Sequence, residues 1–294
     1  MLRRKSRWLG NPYGIINPMS QTKDQANMNI HPTAIIEPGA ELDSSVRVGP
    51  YTVIGKGVRI GADTEIGPHA VISGATTIGV ANRIGPFTNI GAPPQDLHYQ
   101  GEETRLEIGD HNVIREYVSL HRGTAAGRGV TNVGSHNLLM AYVHVAHDCL
   151  VGDHVIMANA ATLGGHVTVE DRATLGGMVA VHQFSRIGGY AYIGGMSGIS
   201  KDVSPYVIVA GIRNGMRVTG INKIGLRRAG FDAETIKQLH RAFKILFHSQ
   251  ELLLAEALDK TEAEMADCEP VQRLVRFFRE SKRGVVRTAG DDEF

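Results

Sequence analysis

An aliphatic residue returns at every sixth position along the first part of the chain: Ile30, Ile36, Leu42, Val48, Ile54, Ile60, Ile66, Ile72, Ile78, Ile84 and Ile90. An amphipathic helix would space its apolar residues by three and four, and a half-buried strand by two, so a strict six excludes both as the organising element. A short fixed period marks a solenoid. Three hexads close one triangular coil of about eighteen residues, with the aliphatic positions stacked inside and neighbouring coils about 4.8 Å apart as parallel strands. Glycine follows directly at 49, 55, 61, 67, 79, 85 and 91, which predicts that glycine supplies the backbone freedom needed at the corners.

The register resumes through Ile108, Ile114 and Leu120, and again every six residues from Val133 through Val145 and Leu163 to Ile199. It breaks twice. Sixth positions after Ile90 would fall on Asp96 and Glu102, and carboxylates inside an aliphatic stack cost several kcal/mol each, so residues 92–107 are expected to leave the coil as a loop. From Leu120 to Val133 the spacing is thirteen, one too many, around Gly127-Arg128-Gly129, which predicts a second excursion over 121–132. After Pro205 the pattern turns helical: Asp232 is a plausible N-cap for a helix burying Ile236, Leu239, Phe243 and Leu246, with further helices around 252–258 and 271–278. The chain therefore reads as mainly β, a parallel β-helix of hexapeptide repeats over 29–210 followed by a small α-helical C-terminal domain over 211–294. Residues 1–28 read as a disordered N-terminal extension, or as a start placed upstream of Met19 or Met28.

Composition narrows the classes. Of 294 residues 42% are hydrophobic and 21% charged, in the range of a soluble globular protein. A net charge of +1 provides no global field for nucleic acid. No apolar run approaches the roughly 18 residues of a membrane span, which argues against membrane insertion. Two cysteines, Cys149 and Cys268, are too few for a disulfide framework and fit a reducing cytoplasm.

Residues eighteen apart stack on adjacent coils, so His147, His166 and His182 fall within one residue of a common column, with His144 on the first of those coils. Such a cluster admits a zinc shell of three imidazoles, as in gamma-class carbonic anhydrases, or a general base acting near its ordinary pKa of about 6.5. The column alone does not choose between them.

Around these histidines the sequence closely resembles the UDP-N-acetylglucosamine acyltransferases of lipid A biosynthesis, over residues 29–285. The likeness is carried by Pro94-Gln95-Asp96-Leu97, Leu120-His121-Arg122-Gly123-Thr124, Asn137-Leu138-Leu139-Met140, His144-Val145-Ala146-His147-Asp148-Cys149, Ala180-Val181-His182-Gln183-Phe184 and Gly225-Leu226-Arg227-Arg228. The resemblance implies a left-handed β-helix, a cytoplasmic homotrimer with active sites between neighbouring helices, and no metal or other cofactor. It implies direct transfer of a (R)-3-hydroxyacyl chain from acyl carrier protein, which brings its own phosphopantetheine, to the 3-position of UDP-N-acetylglucosamine. His147 matches the general base, Asp148 its supporting carboxylate and Gly165 the oxyanion donor. Asp96, His98, His144, His166, His182 and Gln183 match substrate-binding positions, and Asn222, Arg227 and Arg228 match donor and nucleotide contacts. Tyr192, Gly195 and Met196 match the corner that closes the acyl groove, and Gly195 implies room for a chain of about fourteen carbons.

Two departures stand out: His98 replaces a usual Lys, and Ala229 follows Arg228 where a second Arg is common. An N-acyltransferase acting on a 3-amino nucleotide sugar is the neighbouring alternative, and a zinc-dependent gamma-type carbonic anhydrase the alternative of another class. Residues 211–248 carry eight basic side chains (Arg213, Arg217, Lys223, Arg227, Arg228, Lys237, Arg241 and Lys244) against Asp232 and Glu234, which predicts a dock for an acidic carrier.

Overall fold

The computed structural model describes residues 29–211, 215–249 and 251–287. The expected extension over 1–28 and Arg213 lie outside the described residues. Among the described residues short strands, most of them two residues long, build three sheets of nine, eight and ten strands. Up to Ala180–Val181, each strand pairs in parallel with the third strand after it, as in Val53↔Val71 and Ile54↔Ile72, so each of these coils adds one strand to each sheet. The fold is a left-handed β-helix. The hexad positions fill its interior: Ile54, Ile72, Leu120, Leu139, Leu163 and Leu175 are fully buried. Ile30, Ile36 and Leu42 are less covered because they belong to the first coils, where the stack ends.

The corners use glycine differently from the expectation. Left-handed φ falls on the third residue after an inward aliphatic, and that residue is usually not glycine: Tyr51 (57°), His69 (57°), Asp148 (59°) and His166 (60°). Of the seven glycines that follow an aliphatic directly, only Gly91 has positive φ. Most of the others answer to close approach between coils. A Cβ on Gly49 would stand 2.8 Å from Pro68 N, and one on Gly85 2.7 Å from Glu116 N. Left-handed backbone costs a non-glycine residue roughly 1–2 kcal/mol. Stacking between coils offsets it: the N–H groups of His69 and His166 donate to the carbonyls of Pro50 (2.9 Å) and His147 (3.0 Å). Along one corner Tyr51, His69, Phe87, Tyr117 and Tyr142 lie face to face with centroids 4.8 to 5.2 Å apart. Inside, buried Asn82, Asn112 and Asn137 form an amide ladder that ends on the Val155 N–H (2.6 Å), satisfying backbone donors across the coils that carry insertions.

The chain leaves the coil over 93–104, between strands Asn89–Ala92 and Arg105–Ile108, and over 122–129, between Ser119–His121 and Val130–Val133. Past Ala210 the chain is not helical at once. Arg217–Ile221 first pairs antiparallel with Val207–Ala210 and extends the ten-stranded sheet. Among the described residues four helices follow: α1 (Lys223–Arg228), α2 (Ala233–His248), α3 (Leu254–Glu264) and α4 (Glu269–Glu280). Asp232 caps α2 by accepting the Thr235 N–H (2.8 Å). α4 packs against late coils through Arg273, 2.7 Å from Glu170, and through Phe277, whose ring lies 4.5 Å from the Arg186 guanidinium carbon.

Candidate active site

His147 and Asp148 follow the strand His144–Val145 and turn the chain into the strand Leu150–Val151. Neighbours in a regular strand point to opposite faces, but the left-handed φ of Asp148 breaks that alternation. The carboxylate folds back so that Oδ2 lies 2.9 Å from His147 Nδ1. An ionised carboxylate only accepts, so Nδ1 carries the proton and Nε2 is left as the bare, basic nitrogen.

Asp148 is buried, which pushes its carboxyl pKa up, yet the hydroxyl of Thr124, the imidazole of His147 and the N–H groups of Thr124 and Arg128 together hold it below the ordinary value. It therefore stays an anion beside the imidazole. His166 stands edge-on to His147, ring centroids 5.1 Å apart, with Nε2 3.9 Å from Asp148 Oδ2. Burial lowers the His166 pKa, with the nearby Asp148 working against that shift. Gly165 fits against the face of the base: a Cβ there would lie 2.5 Å from His147 Cε1 and 2.7 Å from Nε2. Its N–H donates to no protein acceptor among the described residues.

The three-histidine column is not formed as expected. Phe184, not His182, stacks on His166, with centroids 4.4 Å apart and planes 7° from parallel. Eighteen residues separate 166 from 184, whereas His182 is in register with Gly164. It is exposed and meets the Gln183 carbonyl (3.0 Å) and Arg283 (3.3 Å). The groups that could share a cation are instead His147, Asp148 and His166, whose ligand atoms lie within 4.8 Å of one another. Both Asp148 oxygens already accept protein donors, so this trio suits an oriented base better than a metal shell.

His144 Nδ1 meets the Ser119 hydroxyl at 2.7 Å, which leaves its Nε2 for a ligand. Burial, helped by His147, lowers the His144 pKa. Asp96 sits in the first excursion and accepts the His98 N–H (2.9 Å), with His98 Nδ1 at 3.0 Å. These contacts with His98 dominate the lowering of its carboxyl pKa, and His147 is close enough to add to it. His98 itself is exposed, and so is Gln183. The Asn222 amide is engaged at both ends: it caps α1 by accepting the Gly225 N–H (3.0 Å) and donates to the Tyr190 carbonyl (2.9 Å). Arg227 and Arg228 are exposed in the last turn of α1, and no hydrogen bond or ring contact joins them to His147 among the described residues. Tyr192 and Met196 are exposed, and the left-handed φ at that corner belongs to Met196 (59°), not Gly195. A Cβ on Gly195 meets only the Gly177 backbone, at 3.3 Å or more. No left-handed φ calls for glycine at 195, although a Cβ there would press on the Gly177 carbonyl oxygen.

Sequence reasoning missed His121, Thr124 and Arg128 as site residues. His121 is buried with its Nδ1 unpartnered among the described residues, edge-on to His144 at 4.8 Å. Burial first, then His144 and His147, lower its pKa to about 4. The clue was present in the extra length of the second excursion, which carries Thr124 and Arg128. Cys149 follows Asp148, but burial pushes its thiol up to about 12, which disqualifies it as a nucleophile.

Residues 202–286 match the family described as UDP-N-acetylglucosamine O-acyltransferase, domain 2, and residues 39–74 match the bacterial transferase hexapeptide repeat. The acyl-[acyl-carrier-protein]–UDP-N-acetylglucosamine O-acyltransferase of Syntrophobacter fumaroxidans is 53% identical over 260 residues, covering 88% of this chain and 100% of the relative. That of Thermodesulfovibrio yellowstonii is 51% identical, covering 88% of this chain and 99% of the relative. Among solved structures, LpxA from Acinetobacter baumannii superposes with a TM-score of 0.85 at 46% identity, covering 88% of this chain and 100% of that one. The UDP-N-acetylglucosamine acyltransferase of Arabidopsis gives 0.78 at 35% identity, covering 88% and 100%. With about half its residues identical to those of the Syntrophobacter and Thermodesulfovibrio enzymes over nearly their whole length, the chain belongs to the family of acyl-[acyl-carrier-protein]–UDP-N-acetylglucosamine O-acyltransferases.

Proposed function

We propose that this enzyme transfers a (R)-3-hydroxyacyl chain from acyl carrier protein to the 3-hydroxyl of UDP-N-acetylglucosamine, the first step of lipid A biosynthesis. The observation that carries the reading is the His147–Asp148 pair, whose bare Nε2 lies against Gly165. Nε2 takes the proton of the sugar hydroxyl as its oxygen attacks the thioester carbonyl. The Gly165 N–H stabilises the oxyanion, where a side chain would block the approach. Collapse of the tetrahedral intermediate breaks the C–S bond, and the proton held on Nε2 passes to the departing thiolate. No acyl-enzyme forms, and neither a metal nor another cofactor takes part.

Asp96, His98, His144, His166, His182 and Gln183 bind the sugar and line the acyl site. Asn222, Arg227 and Arg228 serve the nucleotide and donor, and for Asn222 this requires the amide to serve a ligand beyond its cap. Tyr192, Gly195 and Met196 bound the acyl tail. The working unit is a homotrimer with sites between neighbouring β-helices. Support for this comes from fully exposed Leu97 at the tip of the first excursion and from the exposed corner of Tyr51, Phe87, Tyr117 and Tyr142, apolar groups that a monomer would leave in water. Exposed Arg217, Lys223, Arg227, Arg228 and Lys244 provide the face for an acidic carrier, whereas Arg241 is already paired with Glu264 (2.5 Å). No helix among the described residues is long and apolar enough to cross a membrane, and the enzyme works in the cytoplasm.

The test is acyl transfer from hydroxyacyl carrier protein to UDP-N-acetylglucosamine, run beside the 3-amino analogue. Turnover of the hydroxyl acceptor supports the reading. Turnover of the amino sugar alone would reassign the acceptor, and zinc-dependent hydration of carbon dioxide without acyl transfer would overturn it.

A further inference from the structure

The second excursion inserts seven residues rather than one, since Leu120 pairs with Val145 and Ile108 with Val133 across 25 positions where a regular coil takes 18, and it closes around Asp148. The Gly127 N–H donates to the Thr124 hydroxyl (3.1 Å), which in turn donates to Asp148 Oδ2 (2.6 Å), the same oxygen that accepts His147 Nδ1–H (2.9 Å). The Thr124 N–H reaches both carboxylate oxygens (3.0 and 3.2 Å), and the Arg128 N–H reaches Oδ1 (2.8 Å). Thr124 is itself buried. Because its hydroxyl accepts from Gly127, its single proton is directed at the carboxylate. Gly127 has no left-handed φ, yet a Cβ on it would lie 2.5 Å from Asp148 Cγ, so the glycine is needed for the loop to close on the carboxylate.

We infer that Thr124 is a positioning residue for catalysis, and that the 122–129 excursion is a clamp that fixes the Asp148 carboxylate in the plane from which it orients His147. The inference rests on His147 acting as the general base. A carboxylate free to turn about its χ angles would hold the imidazole in one tautomer but not in one place, and proton transfer from a bound hydroxyl requires both. In a regular corner no chain lies outside the coil to supply these donors. The seven-residue surplus between Leu120 and Val133 provides that chain.

The test uses three variants of the full-length protein: Thr124→Val, which keeps shape and backbone donors but removes the hydroxyl; Thr124→Ser, which restores it; and Gly127→Ala, which pushes on the carboxylate from an exposed loop. Losing a hydrogen bond to a charged group predicts that kcat of Thr124→Val falls about tenfold or more, with KM for both substrates within about twofold. With one donor fewer, Oδ2 becomes more basic and draws the Nδ1 proton harder. The imidazole then holds its proton to higher pH. The His147 titration midpoint, read by nuclear magnetic resonance on the protein without substrate, should rise, and the acid limb of kcat/KM should rise with it. Thr124→Ser should return all three readouts, and Gly127→Ala should lose rate even if Thr124→Val does not fold.

If the wild type transfers acyl groups but folded Thr124→Val keeps its kcat and its His147 midpoint, the clamp is wrong and the general-base reading survives. Equal impairment of the Val and Ser variants would also overturn the clamp, since the hydroxyl would then not matter. If the wild type transfers no acyl group while the midpoint shifts and recovers as described, the assigned reaction fails and the clamp on His147 stands.

Discussion

Gly165→Ala separates the geometry of the base from the stability of the fold. The new Cβ would lie 2.5 Å from His147 Cε1 and 2.7 Å from Nε2, whereas carbon atoms rest comfortably at about 3.5–4.0 Å. The imidazole must therefore withdraw by about 1 Å or rotate, and either motion works against its 2.9 Å bond to Asp148. Gly165 does not use left-handed φ, so alanine adds no backbone strain there. The ring that must yield is the half-buried end of a side chain, not a packed aliphatic of the interior. A displacement of 1 Å in an acid–base group costs about 10²-fold in rate, so kcat should fall by about two orders of magnitude while the melting temperature changes by no more than a few degrees. The assay is steady-state acyl transfer beside thermal melting of the same preparation. A folded Gly165→Ala enzyme with wild-type kcat would refute the claim that the glycine makes room for the base. A large loss of melting temperature would show instead that the glycine serves the coil.

Replacing the base itself, His147→Ala, should lower kcat by about 10² or more in a folded protein, and near-normal turnover would remove His147 from the mechanism. Gly195→Met should shift preference to shorter hydroxyacyl donors, since each buried methylene is worth about 0.8 kcal/mol and three or four discriminate by about two orders of magnitude; equal loss on every chain length would refute the ruler. Affinity for the acyl carrier should fall as salt rises, and an affinity indifferent to salt would eliminate the electrostatic dock. Burial lowers the pKa values of His121, His144 and His166, His121 to about 4, so in acid the unfolded chain binds protons that the folded chain refuses. Stability should therefore decline as pH drops from about 6.5 toward 4. Denaturant titrations across that window should show a shallower slope for His121→Asn, and an unchanged slope would contradict the buried neutral imidazole.

The hexad period alone determined the coil, its interior and the places where the chain departs from it, because a solenoid repeats one local rule and each inward position is dictated by its neighbours one coil away. Asp96 and Glu102 marked the first excursion for the same reason, as carboxylates have no place in an aliphatic stack. The periodicity did not show which residue bends the chain. Glycine was the natural candidate, yet many left-handed corners are taken by histidine, tyrosine and phenylalanine, whose rings stack coil upon coil, an inter-coil energy invisible to local propensity. That corner geometry also decided the chemistry. Strand alternation argued against contact between His147 and Asp148, and only the left-handed φ of Asp148 turns the carboxylate onto Nδ1. Counting by eighteen placed three histidines within one residue of a common column, but His166 and His182 lie on opposite sides of it, two positions apart in register, so Phe184 stacks on His166 and His182 falls in line with Gly164. The roles of Thr124 and Gly127 depend on how an irregular loop folds back onto a buried carboxylate. A long-range contact of that kind follows no period, so only the tertiary structure could decide it.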